Sequence, residues 1–338
     1  MKIKQEIPIF FSSDDNYVPY LCVAVHSLIK NASKENNYRI IILNTGICEE
    51  NKKKIMKLQT ENVKFSFENV SAKIGVIEEE LKKRLRDYYS LAIYYRLFIP
   101  TMFPEYRKAI YLDADIVILD DVAKIYEIEM ENNLLVAVRD AVVASNDVFK
   151  KYSTFALGLE PDKYFNSGML VMNLDKMREE NFEDTFINLL VKYNFDTVAP
   201  DQDYLNTLCK DRIIYLDENW NKMPDFGKSY DEKDLHIIHY NMFRKPWRYS
   251  EVQYSDVFWR YANETEYADT LKQQLAAYSA ESKAKDLKNA KKMEVRAKEI
   301  MRQDIKFGDI INSAKLDFSG TDSESESTQL GFSESFIF

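Results

Sequence analysis

The sequence predicts an α/β fold: a mostly parallel sheet covered by helices, with a helical extension at the C-terminal end. Three observations predict it. Short apolar, β-branched runs alternate with helical patterns through the first two-thirds of the chain, the rhythm of successive βαβ units. Two acidic clusters, "FFSSDDN" and "YLDAD", follow apolar runs directly, and in open α/β sheets ligands sit beyond the carboxyl ends of strands. From about residue 264 the composition turns to Ala, Lys and Gln, and residues 270–306 contain neither Gly nor Pro, which reads as long helix.

The elements follow in order. Residues 7–12 form a strand-like apolar run, and residues 20–30 carry a helical pattern with Pro19 near the first turn, where its missing N–H costs nothing. Residues 39–43 are β-branched, 49–59 helical and 64–67 strand-like. Residues 90–98 read as a helix stopped by Pro100. Strands at 109–112 and 134–138 come next, and a helix at 204–209 that Asp201 could cap. The stretch 319–328, "SGTDSESEST", is low in complexity and expected to be disordered. The organisation is therefore a catalytic unit at 1–265, a basic helical extension at 266–318 and a disordered tail at 319–338.

Composition narrows the function. The 338 residues are 46% hydrophobic and 30% charged, with a formal net charge of -9. That balance argues against nucleic-acid binding by bulk electrostatics. Cys22, Cys48 and Cys209 are odd in number and lack CxxC spacing, which points to a reducing compartment. The N-terminal apolar run is too short for a signal peptide and no apolar stretch is long enough to span a bilayer, so a cytoplasmic location is expected.

The segment "KAIYLDADIVILDDV", residues 108–122, sets the chemical question. In extended backbone, residues i and i+2 project to one face, so Asp113 and Asp115 can approach one cation together. Two desolvated carboxylates repel unless a cation joins them. The alternatives are a divalent-metal site or a solvated acidic turn at a strand end. Carboxylate oxygens suit Mg²⁺ or Mn²⁺, and an imidazole tilts the preference toward Mn²⁺. Of the three histidines, His26 lies in a helical apolar pattern and reads as structural. His239 ends the apolar run "LHIIHY" and precedes "NMFRKPW". It is either a metal ligand, with Lys245 as a phosphate-binding cation, or a strand-end residue beside a packed Trp247. Asp113, Asp115 and Val117 also fit the local pattern of a haloacid-dehalogenase-type phosphatase, but this pattern lies far from the N-terminus and no matching later Lys and acidic loop follows.

Six segments in order, "SSDDNYVPYLCVAVHSL", "YSLAIYYRLFIP", "YLDADIVI", "YFNSGMLVMNL", "PDQDYLN" and "HYNMFRKPW", resemble glycosyltransferase family 8, the retaining nucleotide-sugar transferases that include bacterial lipopolysaccharide galactosyltransferases and glycogenin. The likeness covers residues 7–250. It implies a GT-A fold, a Rossmann-like nucleotide-binding domain with a mixed, mostly parallel sheet, whose DxD motif holds Mn²⁺ (or Mg²⁺) against the donor diphosphate. It further implies that Asp113, Asp115 and His239 are the metal ligands, and that Ser12, Asp14 and Asn16 bind the uridine and its ribose. Arg96 and Lys245 match positions at the diphosphate, and Asn166, Asp201 and Gln202 match positions facing the donor hexose. Asp140 falls where the family places an acidic residue near sugar and acceptor. One position departs: the family pattern reads His-x-x-Gly-x-x-Lys-Pro-Trp, and here Met242 stands at the glycine.

The resemblance implies metal-dependent, retaining transfer of glucose or galactose from a UDP-sugar to a hydroxyl of a glycan, glycolipid or glycoprotein; the alternative is a catalytically weak nucleotide-sugar-binding protein. Gln202, an amide, is a poor nucleophile, which favours front-face attack over double displacement. Residues 270–306 carry ten basic against five acidic residues, with Leu287, Ala290, Met293, Ala297 and Ile300 at helical spacing. That stripe is either a weak peripheral contact with an anionic membrane or a face packed on the catalytic unit.

Overall fold

A computed structural model describes residues 6–75, 91–193 and 195–313. Strand β1 (Glu6–Ser12) is buried along almost its whole length and pairs in parallel with β2 (Asn37–Asn44) and β4 (Lys108–Leu112). Strand β3 (Val63–Asn69) extends the parallel half beyond β2. On the other side of β4 lies β7 (Phe165–Asn173), antiparallel to β4 and to β6 (Leu135–Arg139). Strand β8 (Ile213–Leu216) closes that edge in parallel with β6, giving the order β3-β2-β1-β4-β7-β6-β8. A second, two-stranded sheet pairs β5 (Ile116–Ile118) antiparallel with β9 (Ile237–His239), Ile116 opposite His239.

Alternation along the strands builds two cores, one on each face. Ile9, Phe11, Ile40, Ile42, Ile110 and Leu112 point into one; Phe10, Ile41, Leu43, Ala109 and Tyr111 point into the other. Helix α1 (Val18–Asn31) covers the first face, with Pro19 in its first turn and ten of its fourteen residues buried. Helix α2 (Glu49–Met56) buries only Ile55 and stays on the surface. Helices α3 (Asp147–Leu157) and α4 (Pro200–Leu208) carry residues of the second core.

Two expected elements differ. Residues 91–98 form a 3₁₀ helix (Leu91–Phe98) rather than an α-helix, and Pro100 does not stop it: it occupies the first turn of a short α-helix, Ile99–Met102, where no N–H is needed. The expected helix at 270–306 is two, α5 (Ala268–Ala277) and α6 (Ala280–Ile300), followed by α7 (Phe307–Ser313). The break falls at Tyr278, which is extended, and at Ser279, whose hydroxyl accepts from the Ser282 N–H and caps α6. Of the two readings of the apolar stripe, the burial favours the face packed on the rest of the protein. Met293, Ala297 and Ile300 are buried in the second core, while Leu287 stands alone, 74% exposed. The low-complexity stretch 319–328 and the rest of the tail expected to be disordered lie outside the described residues. Among the described residues no helix is long and apolar enough to cross a membrane.

Helix α7 seats on the C-terminal end of α3 through a glycine pair. Gly158 ends α3 at φ +68, and a Cβ on Gly308 would lie 2.5 Å from the Gly158 nitrogen and 2.6 Å from the Leu157 carbonyl carbon. Both obstacles are backbone and cannot rotate away. Gly308→Ala should therefore cost about 1–3 kcal/mol in denaturant unfolding, as overpacking does; an unchanged unfolding midpoint would contradict this docking.

Candidate functional site

The site begins where β4 ends. The Asp113 N–H donates to the Gly168 carbonyl of β7 at 2.8 Å, and the Asp115 carbonyl accepts from the Tyr240 N–H at 2.9 Å, so the two acidic residues are pinned by neighbouring strands on either side. His239, at the end of β9 and 2% exposed, brings its Nε2 to 3.3 Å from Asp115 Oδ1 and 3.7 Å from Asp113 Oδ2. One ligand atom from each of the three lies within 4.8 Å of the others. The cradle is kept open by Gly168, where a Cβ would fall 2.2 Å from His239 Cε1 and 2.8 Å from Asp113 Oδ2. Two carboxylates and an imidazole held this close match the donor set of a hard or borderline divalent cation. These residues fit a metal ion.

Fixed cations flank the cluster. Lys245 donates to Asp115 and, at 2.6 Å, to the Tyr240 carbonyl. Burial opposes the charge on Asp115, but Lys245 and then His239 overcome it and hold this carboxyl well below the usual carboxylate range. On the other side, the fully buried Arg96 donates to Asp113 at 2.7 Å and to the Ser167 carbonyl at 2.5 Å, and its Nε stands 3.2 Å from Asp201. Its guanidinium lies 4.2 Å over the Tyr111 ring. Burial alone would lower the Arg96 pKa; Asp113, Tyr111 and Asp201 raise it instead.

Asp201 caps nothing. Helix α4 starts from Ala199 without a side-chain cap, and the Asp201 carboxylate turns to the Ser167 hydroxyl at 3.2 Å and to Arg96. Burial pushes its pKa up against the pull of Arg96. Gln202 is held at both ends of its amide: Oε1 accepts from the Ser167 N–H at 2.9 Å and from Asn166 at 3.1 Å, and Nε2 donates to Asp140 at 3.2 Å. Asp140 also receives Asn166 at 3.1 Å while its other oxygen caps the helix Ala141–Ser145. The structure thus joins Asn166, Asp140, Asp201 and Gln202 in one buried network beside the acidic pair.

Ser12, the last residue of β1, and Asp14 and Asn16 just beyond it line the same cavity, of about 780 Å³, as the acidic pair, His239, Arg96, Lys245 and the Gln202 network. Asp14 accepts from the Tyr17 N–H at 3.0 Å. His26 lies elsewhere, 3.2 Å from Glu264.

Three further residues at the site were not singled out from the sequence. Asn221 links the two halves: its Oδ1 meets His239 Nδ1 at 3.1 Å and its Nδ2 donates to Asn166 Oδ1 at 2.9 Å, so one side chain sets the orientation of both the imidazole and the amide. Tyr17 donates to Asp115 at 3.3 Å. Asp203 accepts from Tyr152, Tyr164 and two backbone N–H groups, yet burial pushes its pKa up to about 6.

The profile "Glycosyl transferase family 8" matches residues 8–251. A putative glycosyltransferase of Haemophilus influenzae is 35% identical over 235 residues, 68% of each chain. A lipopolysaccharide 1,2-glucosyltransferase of Escherichia coli is 26% identical over 252 residues, 69% of this chain and 71% of that one. Among solved structures, an active-site mutant of LgtC superposes with a TM-score of 0.64 at 25% identity, over 77% of this chain and 96% of that one.

Met242 lines the cavity at φ +59, the left-handed region where the family pattern has glycine. A Cβ there costs roughly 1–2 kcal/mol, more if it is branched. Met242→Gly should leave folding free energy within about 1 kcal/mol, strain relief offsetting lost packing and added chain entropy. Met242→Val should destabilise by at least about 1 kcal/mol. Equal stability of Met242→Val and the parent in urea unfolding would contradict the strained turn.

Proposed function

The chain belongs to glycosyltransferase family 8 and has the GT-A fold; from that premise we propose that it transfers glucose or galactose, with retention, from a UDP-sugar to a glycan hydroxyl. The observation that carries this reading is the Asp113–Asp115–His239 cluster, set between Lys245 and Arg96 at the carboxyl edge of the sheet. The name of the E. coli relative, a glucosyltransferase, supports a hexose donor. The haloacid-dehalogenase alternative gives way to the family match, which spans the acidic pair.

In this reading Ser12, Asp14 and Asn16 bind the nucleoside, and Lys245 and Arg96 take the diphosphate. Asp113, Asp115 and His239 would hold Mn²⁺ or Mg²⁺, which supplies charge neutralisation to the departing diphosphate. The fixed cations stabilise the same developing charge without reorganising, because Arg96 is already locked by Ser167 and Asp113. Asn166, Asp201 and Gln202 face the hexose, and Asp140 the hexose and acceptor. Gln202 already spends both ends of its amide on neighbours, which supports front-face attack: the anomeric carbon–phosphate oxygen bond breaks, the acceptor oxygen bonds to that carbon from the same face, and its proton passes to the departing phosphate.

Release of UDP from UDP-glucose and UDP-galactose, with Mn²⁺ or with EDTA, tests the proposal. EDTA should abolish release, and Asp115→Asn should lower it by roughly a hundredfold or more while the protein stays folded. Equal rates in EDTA would overturn the metal assignment. No release from either donor would favour a nucleotide-sugar-binding protein.

A further inference from the structure

Helix α6 lies outside the residues 8–251 that the family profile matches, yet it forms one wall of the reaction cavity through Ser282, Lys285 and Asn289. Spacings of three and four residues put these three on one face. The helix is held in place: Glu294 accepts from Asn146 at 2.9 Å, and Met293, Ala297 and Ile300 sit in the second core. Its inward face presents Ser282, Lys285 and Asn289 to the cavity and turns apolar from Met293 onward, where it packs.

Asn289 is the unusual member. It is 6% exposed, lines the cavity, and its carboxamide has no hydrogen-bond partner among the described residues. The neighbouring Asp286 is different: its carboxylate accepts from Tyr278 at 2.6 Å and Tyr249 at 3.0 Å. The donors and the acceptor of this amide are not sealed off: they reach the cavity, where a ligand hydroxyl can take the place of water. Val142 and Phe149 line the same cavity. An open amide on one wall with aliphatic and aromatic surface on another matches a sugar ring, which has hydroxyls at its edge and C–H groups on its face.

We propose that α6 supplies the acceptor subsite, with Asn289 hydrogen-bonding hydroxyls of a neutral glycan acceptor and Ser282 and Lys285 extending that polar wall. The inference rests on the transferase reading above: the donor is served by residues at or beyond the strand ends, on α4 and, for Arg96, in the 3₁₀ helix Leu91–Phe98, and none of those is on α6. Asn289 is thus a specificity-determining residue on the acceptor side.

The test uses the full chain with UDP-glucose or UDP-galactose, Mn²⁺, and four probes: methyl β-glucoside, methyl β-galactoside, methyl β-N-acetylglucosaminide and lactose. At least one probe should accelerate UDP release above the rate in water. Asn289→Ala should raise the KM for that probe by roughly fivefold or more, the worth of a hydrogen bond, while probe-independent release changes less than about twofold. Lys285→Ala, an exposed position, should raise the same KM without touching the fold. An unchanged probe KM in both variants would overturn the proposal, as would a parent enzyme that hydrolyses donor but ignores all four probes. Absence of UDP release from both donors would instead overturn the transferase reading, and this proposal with it.

Discussion

The structure is organised around one electrostatic constraint: Asp113, Asp115, Asp140 and Asp201 converge on one partly dehydrated cleft, and their charge must be balanced there. Arg96 and Lys245 supply fixed positive charge. Both are almost fully buried, and each is oriented by a backbone carbonyl as well as by a carboxylate. A diphosphate entering such a cleft would add negative charge, so the balance favours a site where a divalent cation and the substrate arrive together. The three close ligand atoms of Asp113, Asp115 and His239 provide for that.

The rest of the fold serves to hold this arrangement. The antiparallel strand β7 is the hinge of the design: its Gly168 carbonyl receives Asp113, its Ser167 carbonyl receives Arg96, and its Asn166 reaches Asp140 and Gln202. Only a residue without a side chain lets β7 pass so close to His239. The small sheet of β5 and β9 carries His239 in from a part of the chain 124 residues beyond Asp115, pairing it across from Ile116. Asn221 then fixes the imidazole from behind.

Much of this was legible in the sequence because it rests on local rules. The i, i+2 spacing of Asp113 and Asp115 at the end of an apolar run, and His239 at the end of another, mark the candidates, and the family resemblance is what joins them into one cluster. The apolar runs place β1, β2, β3, β4 and β6 to within two residues at either end, while β7 and β8 were not read from the sequence. What was not legible depends on how distant segments cross. Asn221 and Asn289 sit in ordinary stretches, and Tyr17, though inside a family segment, is not marked by residue type; their roles arise from what lies opposite them. In α6 the apolar periodicity was read correctly, but the partner of Met293, Ala297 and Ile300 is the protein's own second core rather than a membrane. The helix break at Tyr278 and Ser279 lacks Gly or Pro; the signal was only the capping serine. Met242 stands at a family glycine, where either close backbone approach or positive φ was open, and its φ of 59° shows the second.

The most direct measurement of the central claim is calorimetric binding of UDP itself, with Mn²⁺ present and with all divalent ions chelated, because it reads charge balance in the cleft without requiring turnover. If the acidic cluster is tolerated through a shared cation, Mn²⁺ should tighten UDP binding by roughly a hundredfold, close to 3 kcal/mol. The same affinity in both conditions would mean that Arg96 and Lys245 alone balance the diphosphate, and would contradict the account.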